Sequence, residues 1–146
     1  MSPTKRFVVV GLALVFGAQA CGLLSPPESC DPDLGGTADE AMFADSFLSM
    51  ELLNESTGQP GPQDSEGAAT FAETDPLVIR AETRSEVSVR ACVQPRTGGR
   101  EIAFDQTVTM ARGSDSISLG AFQPGRYVVR VIVKGVLVKN LPFRIP

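Results

Sequence analysis

The chain has 146 residues, 42% of them hydrophobic, with three cysteines, no tryptophan, no histidine and a formal charge of −4. That length accommodates one domain plus extensions. Without histidine, Ser-His-Asp and Cys-His catalysis and Cys/His zinc sites are all excluded. The charge is unevenly spread. From Gly22 to Asp75 there are twelve acidic residues and no Lys or Arg, whereas Pro76 to Pro146 holds eleven basic residues against five acidic. Such a split marks either an interaction tail or two parts that neutralise each other within one fold.

Lys5 and Arg6 precede an uncharged run from Phe7 to Gly17, and Ala18-Gln19-Ala20 leads into Cys21. A basic start, a short apolar stretch and a small-x-small ending predict a secretory signal peptide over residues 1–20. As a helix the apolar run rises only about 16 Å, short of a hydrocarbon core of about 30 Å, so no lasting span is expected. Ala20-Cys21 resembles the end of a bacterial lipoprotein signal, although Ala18 and Gln19 depart from the usual pattern and Ala18-x-Ala20 also suits ordinary secretion. The resemblance implies acylation of Cys21 and a chain held at a membrane surface, either the outer membrane or the outer face of the cytoplasmic membrane. The alternative is a soluble secreted or periplasmic chain. With Cys21 acylated, Cys30 and Cys92 remain to pair in an oxidising compartment. Two unpaired thiols are the other outcome.

Residues 21–42 combine this cysteine with Ser25-Pro26-Pro27, Asp31-Pro32-Asp33 and Gly35-Gly36, which reads as an acidic flexible linker. Asp31, Asp33, Asp39 and Glu40 are too few and too irregular for a calcium loop. Residues 43–146 are the expected domain. Asp39 to Leu53 is ambiguous between a short helical stripe (Ala41, Phe43, Phe47, Met50, Leu53) and a strand, and the strand-rich surroundings favour a strand near Phe47–Leu53 after a helical turn. Asn54 to Ala69, with Gly58, Pro60, Gly61, Pro62 and Gly67, is a loop.

Regular punctuation follows. Strands are expected over Leu77–Glu82, Glu86–Gln94, Glu101–Met110 and Ser116–Ala121, with turns at Gly98-Gly99, Gly113-Ser114-Asp115 and Gln123-Pro124-Gly125. A closing hairpin turns at Lys134-Gly135. In its first strand Tyr127, Val129, Val131 and Val133 alternate with Val128, Arg130 and Ile132, which is the period of a strand with one buried face. The count is about seven antiparallel strands and no long helical stripe, an all-β sandwich.

Pro124-Gly125-x-Tyr127, the alternating strand after it, Gly135 and the Pro142-Phe143-x-Ile145 ending resemble exported bacterial lipoproteins with a single small immunoglobulin-like domain. The resemblance covers about Phe71 to Pro146. It implies a tyrosine at 127 whose hydroxyl ties back to nearby backbone, and a shared sheet for the third, sixth and seventh strands. Arg90, Arg130 and Lys134 then share one outer face with Cys92, as a candidate basic surface or as a face covered by the acidic leader.

No catalytic residues, metal ligands or cofactor are expected. The three lysines lie in the leader or the last hairpin, Glu101 and Asp105 sit beside a turn, and no glycine-rich phosphate cradle exists. After signal removal the chain nets −6, from eleven basic and seventeen acidic residues, so nucleic acid is a poor partner. A small-molecule substrate is not expected either. The expected role is a non-catalytic cell-envelope lipoprotein, held to the membrane through Cys21, whose module meets another envelope protein. The alternative is a pilotin- or chaperone-like accessory factor for secretion or surface assembly, acting through a strand edge.

Overall fold

The computed structural model describes Cys30 and residues 36–96 and 102–146. In chain order it contains α1 (Glu40–Ser46), β1 (Phe47–Asn54), β2 (Ala69–Thr70), β3 (Leu77–Thr83), β4 (Val87–Pro95), β5 (Phe104–Met110), β6 (Gly113–Gly120), β7 (Gly125–Val133) and β8 (Val136–Ile145). A three-stranded sheet, β1-β3-β6, packs on a five-stranded sheet ordered β2-β8-β7-β4-β5. The protein is an all-β sandwich.

Alternation builds its core. Leu77, Ile79 and Ala81 of β3 meet Val89, Ala91 and Val93 of β4, with Ile117 and Leu119 of β6 and Tyr127, Val129, Val131 and Val133 of β7. Phe122, Tyr127 and Phe143 close one end of this layer with ring centroids 5.1–5.5 Å apart. The Tyr127 hydroxyl donates to the Gln123 carbonyl at 2.9 Å, so the ring packs while its polar tip is satisfied. Gly125 leaves room for it, because a Cβ there would lie 3.1–3.2 Å from the phenol.

The ambiguous segment contains both elements in succession. Asp39 caps α1, its carboxylate accepting the Met42 N–H at 2.9 Å. Seven residues are too few for an isolated helix. Met42 and Phe43 hold this one by packing on the core, Phe43 stacking on Phe47 at 5.2 Å. The helix starts at Glu40, so it straddles the boundary expected between linker and domain.

Four expectations need correction. There are eight strands rather than about seven, and the sheet is not wholly antiparallel, because β2 pairs parallel to β8 (Ala69↔Phe143, Thr70↔Arg144). Two residues carry no periodicity to read. β6 starts at Gly113 and pairs with β3 from Thr83↔Gly113 onward, so Gly113-Ser114-Asp115 is strand and not turn. The Asp115 carboxylate accepts the Ala111 and Ser116 N–H groups, both at 2.8 Å, and compresses the turn into Ala111-Arg112. β5 begins at Phe104; Glu101 lies outside the described residues. The expected Lys134-Gly135 turn is present, with φ of 51° and 75°, the double left-handed geometry whose twist suits a two-residue hairpin.

Candidate functional site

The face that departs most from a simple sandwich is the outer face of the five-stranded sheet. Alternation on β4 sends Val89, Ala91 and Val93 inward and so points Cys92 outward. Register then aligns Cys92, Arg130 and Asn140 across three strands. Cys30 is joined to Cys92 by a disulfide with Cα atoms 5.7 Å apart, closing 62 residues of chain. The Cys30 N–H donates to Gln94 Oε1 at 3.1 Å, Asn140 Nδ2 donates to the Gly36 carbonyl at 3.0 Å, and the Asp39 N–H donates to the Leu137 carbonyl at 2.8 Å. The N-terminal segment is thus tied to β4 and to β8 at two points. On this outer side Cys92, Ile132 and Leu137 are buried although they point away from the core between the sheets.

This strap revises the candidate basic surface. Arg130 is only 7% exposed. Arg90 makes a two-pronged pair with Asp105 at 2.8 and 2.9 Å, and both arginines are engaged. Lys134 stands exposed in the hairpin turn, at the far end of the same strand. The three do not form one open patch, because a guanidinium facing a covered sheet has to be partnered to stay charged.

Three other arginines do share a row. Arg126 lies directly opposite Arg144, and the Arg96 N–H donates to the Arg126 carbonyl at 2.8 Å. Tyr127 and Phe143 point inward, so Arg126 and Arg144 point outward from the same sheet. Glu66 pairs with Arg126 at 3.0 Å, both side chains about half exposed. The Asp64 carboxylate, bonded to the Ala68 and Glu66 N–H groups and near the Arg144 and Arg126 charges, is held below the ordinary carboxylate range against some desolvation. Arg144 Nε is buried with no hydrogen-bond partner. Between this row and Arg130 lies a shallow groove of about 370 Å³ floored by Gln94, Val128 and Pro142. Arg126 and Arg144 were legible by alternation around Tyr127 and Phe143, but their coming together depended on the β7–β8 register.

A second groove, of about 340 Å³, runs between the edges of β1 and β8, with Met50 and Leu52 on one wall and Leu141 and Pro142 on the other. Loop residues Pro60 to Ala69 close its end. Gly61 is required there, because a Cβ would come within 2.5 Å of the Thr70 carbonyl.

Among the described residues no group of three or more His, Cys, Asp or Glu side chains is placed to hold a metal ion, and no helix is long and apolar enough to cross a membrane. Residues 1–20, Cys21, Asp31 and Asp33 lie outside the described residues. Compared with known proteins, the chain matches no family model and no curated sequence.

Proposed function

We propose that this chain is an exported, non-catalytic envelope lipoprotein, anchored through Cys21, whose immunoglobulin-like module presents a binding surface to another envelope component. The observation that carries the reading is the Cys30–Cys92 disulfide. A disulfide persists in an oxidising compartment and not in reducing cytosol. It also accounts for two of the three cysteines, leaving Cys21 as the one placed after a signal-like leader.

The immunoglobulin-like assignment is supported by the strand order. Omitting the two-residue β2, the first, second and fifth strands share one sheet, and the third, fourth, sixth and seventh share the other. The Tyr127 hydroxyl reaching back four residues to backbone suits the same class. Such a fold carries no function by itself, so the role is read from the tether and the covered face.

Metabolic labelling with a fatty-acid analogue tests the anchor. Label is expected on the native chain and absent from Cys21→Ser; label on neither chain overturns the anchor. Thiol counting on unreduced material is expected to find Cys30 and Cys92 blocked, and two free thiols there would remove the export argument.

The accessory-factor reading is favoured by one observation, the groove between the β1 and β8 edges. An extended segment of a secretion or assembly component can add along such an edge. Crosslinking from that groove to a secretion component would promote this reading over the first.

A further inference from the structure

We infer that the arginine row Arg96–Arg126–Arg144 docks onto the anionic phospholipid headgroups of the membrane to which the chain is tethered. The inference rests on the anchor at Cys21 and names the surface that would face the bilayer. The row is held in register by the β7–β8 pairing and by the backbone bond from Arg96 to Arg126. Like charges set directly opposite one another on a sheet repel. Within the domain their neutralisation is partial. Glu66 takes Arg126 through an exposed pair, and Asp64, which accepts the Glu66 and Ala68 N–H groups on one carboxylate oxygen, lies near the Arg126 and Arg144 charges. Phosphate oxygens match the forked guanidinium donors that remain.

Two further observations orient the domain. The opposite outer face, on β1 and β3, carries Glu51 and Glu82 against Arg80, with Glu55 beside them accepting from Ser118 at 2.9 Å. The arginine row and this net acidic set thus lie on opposite outer faces, and an anionic surface attracts the first and repels the second. The tether also leaves from the basic side. Cys30 is fixed to Cys92 on the same face as the row, and nine residue steps from Cys21 to Cys30 span at most about 30 Å. A lipid at Cys21 therefore holds the domain close to the bilayer from that side.

The exported chain carrying Cys21→Ser, which has no acyl chain, is tested by flotation with vesicles of phosphatidylglycerol or of phosphatidylcholine. Binding is expected to phosphatidylglycerol only, to be lost in high salt, and to resist an excess of inorganic phosphate. Arg96→Gln and Arg126→Gln, both exposed, are each expected to weaken it about fivefold, and the triple variant with Arg144→Gln far more. Arg80→Gln on the acidic face is the control and should bind as well as the parent. Equal binding to both lipids, unchanged binding by the Arg96→Gln/Arg126→Gln double variant, no binding at all, or full competition by phosphate would each overturn the inference. Fatty-acid labelling separates the two claims. A labelled chain without lipid-selective flotation sinks the arginine row alone, whereas an unlabelled chain with lipid-selective flotation sinks the anchor alone.

Discussion

The two outer faces of the sandwich arise from the same alternation and end differently. On the three-stranded sheet, Ser49, Glu51, Arg80, Ser114, Ser116 and Ser118 point to solvent, and alternation alone accounts for them. On the five-stranded sheet the equivalent positions include Cys92, Arg130, Ile132 and Leu137, all buried. On the three-stranded sheet burial of outward positions is confined to the Leu53–Val78 pair, beside the loop that bridges Leu53 to Pro60, whereas on the five-stranded sheet it spans β4, β7 and β8. Period-two patterning therefore reports which side of a strand faces the main core, and leaves open whether the other side is wet.

The largest separation between the faces is expected from the disulfide. Cys30→Ala frees a closed loop of 62 residues, for which chain entropy corresponds to about 4 kcal/mol. Denaturant unfolding of the exported chain should register a loss approaching that value. A loss under about 1 kcal/mol would mean the covalent link itself contributes little to holding the segment in place. Next comes the buried apolar surface on the outer side of the five-stranded sheet. Leu137→Ala is expected to cost about 3 kcal/mol, while Ser116→Ala on the other face should stay within about 0.5 kcal/mol. Similar effects from the two substitutions would dissolve the contrast.

Smaller effects sharpen the comparison at the joints between sheets. The buried Thr83 hydroxyl of β3 donates to the Ala111 and Gly113 carbonyls at 2.5 and 3.2 Å, clamping the point where the chain passes from the five-stranded to the three-stranded sheet. Thr83→Val should lower stability by about 1–2 kcal/mol in the same assay. Tyr127→Phe, which keeps the packed ring and removes the bond to Gln123, should cost about 1 kcal/mol.

The smallest expected effect is acid-dependent. Asp115, bonded to the Ala111 and Ser116 N–H groups, has its pKa lowered in the folded state. Its contribution is therefore present above the unfolded carboxylate value of about 4 and lost as pH falls through the lower folded value. Melting temperatures of the parent and Asp115→Asn should differ at neutral pH and converge in acid. A gap that persists at low pH would show that the carboxylate's charge is not what matters.

Much of the sandwich was readable because each long strand carries its own signal. Leu77, Ile79 and Ala81, Val89, Ala91 and Val93, and Tyr127, Val129, Val131 and Val133 fall at alternate positions, and all of these lie in the core. The hairpin turn was readable for the same local reason, since Lys134-Gly135 interrupts two alternating runs. β2 and the early start of β6 were not, because each is decided by a distant partner: the β8 edge for Ala69-Thr70 and β3 for Gly113. The candidate basic surface fared similarly. Alternation put Arg90, Arg130 and Lys134 on one side of the sheet, but it carries no information about Asp105 across the β4–β5 pair or about a strap arriving from more than sixty residues upstream.

By itself the sequence determined the strand periods, the Lys134-Gly135 turn, the acidic-then-basic division of charge and the single side of β4 from which Cys92 could be reached. These are short-range properties, set by side-chain alternation and by the φ preferences of Gly and Pro. Only the tertiary structure decided the sheet order, the burial of Arg130 and Ile132 on an outward side, and the alignment of Arg96, Arg126 and Arg144. Each of those depends on inter-strand register and on contacts between segments far apart in the chain, which no local pattern encodes.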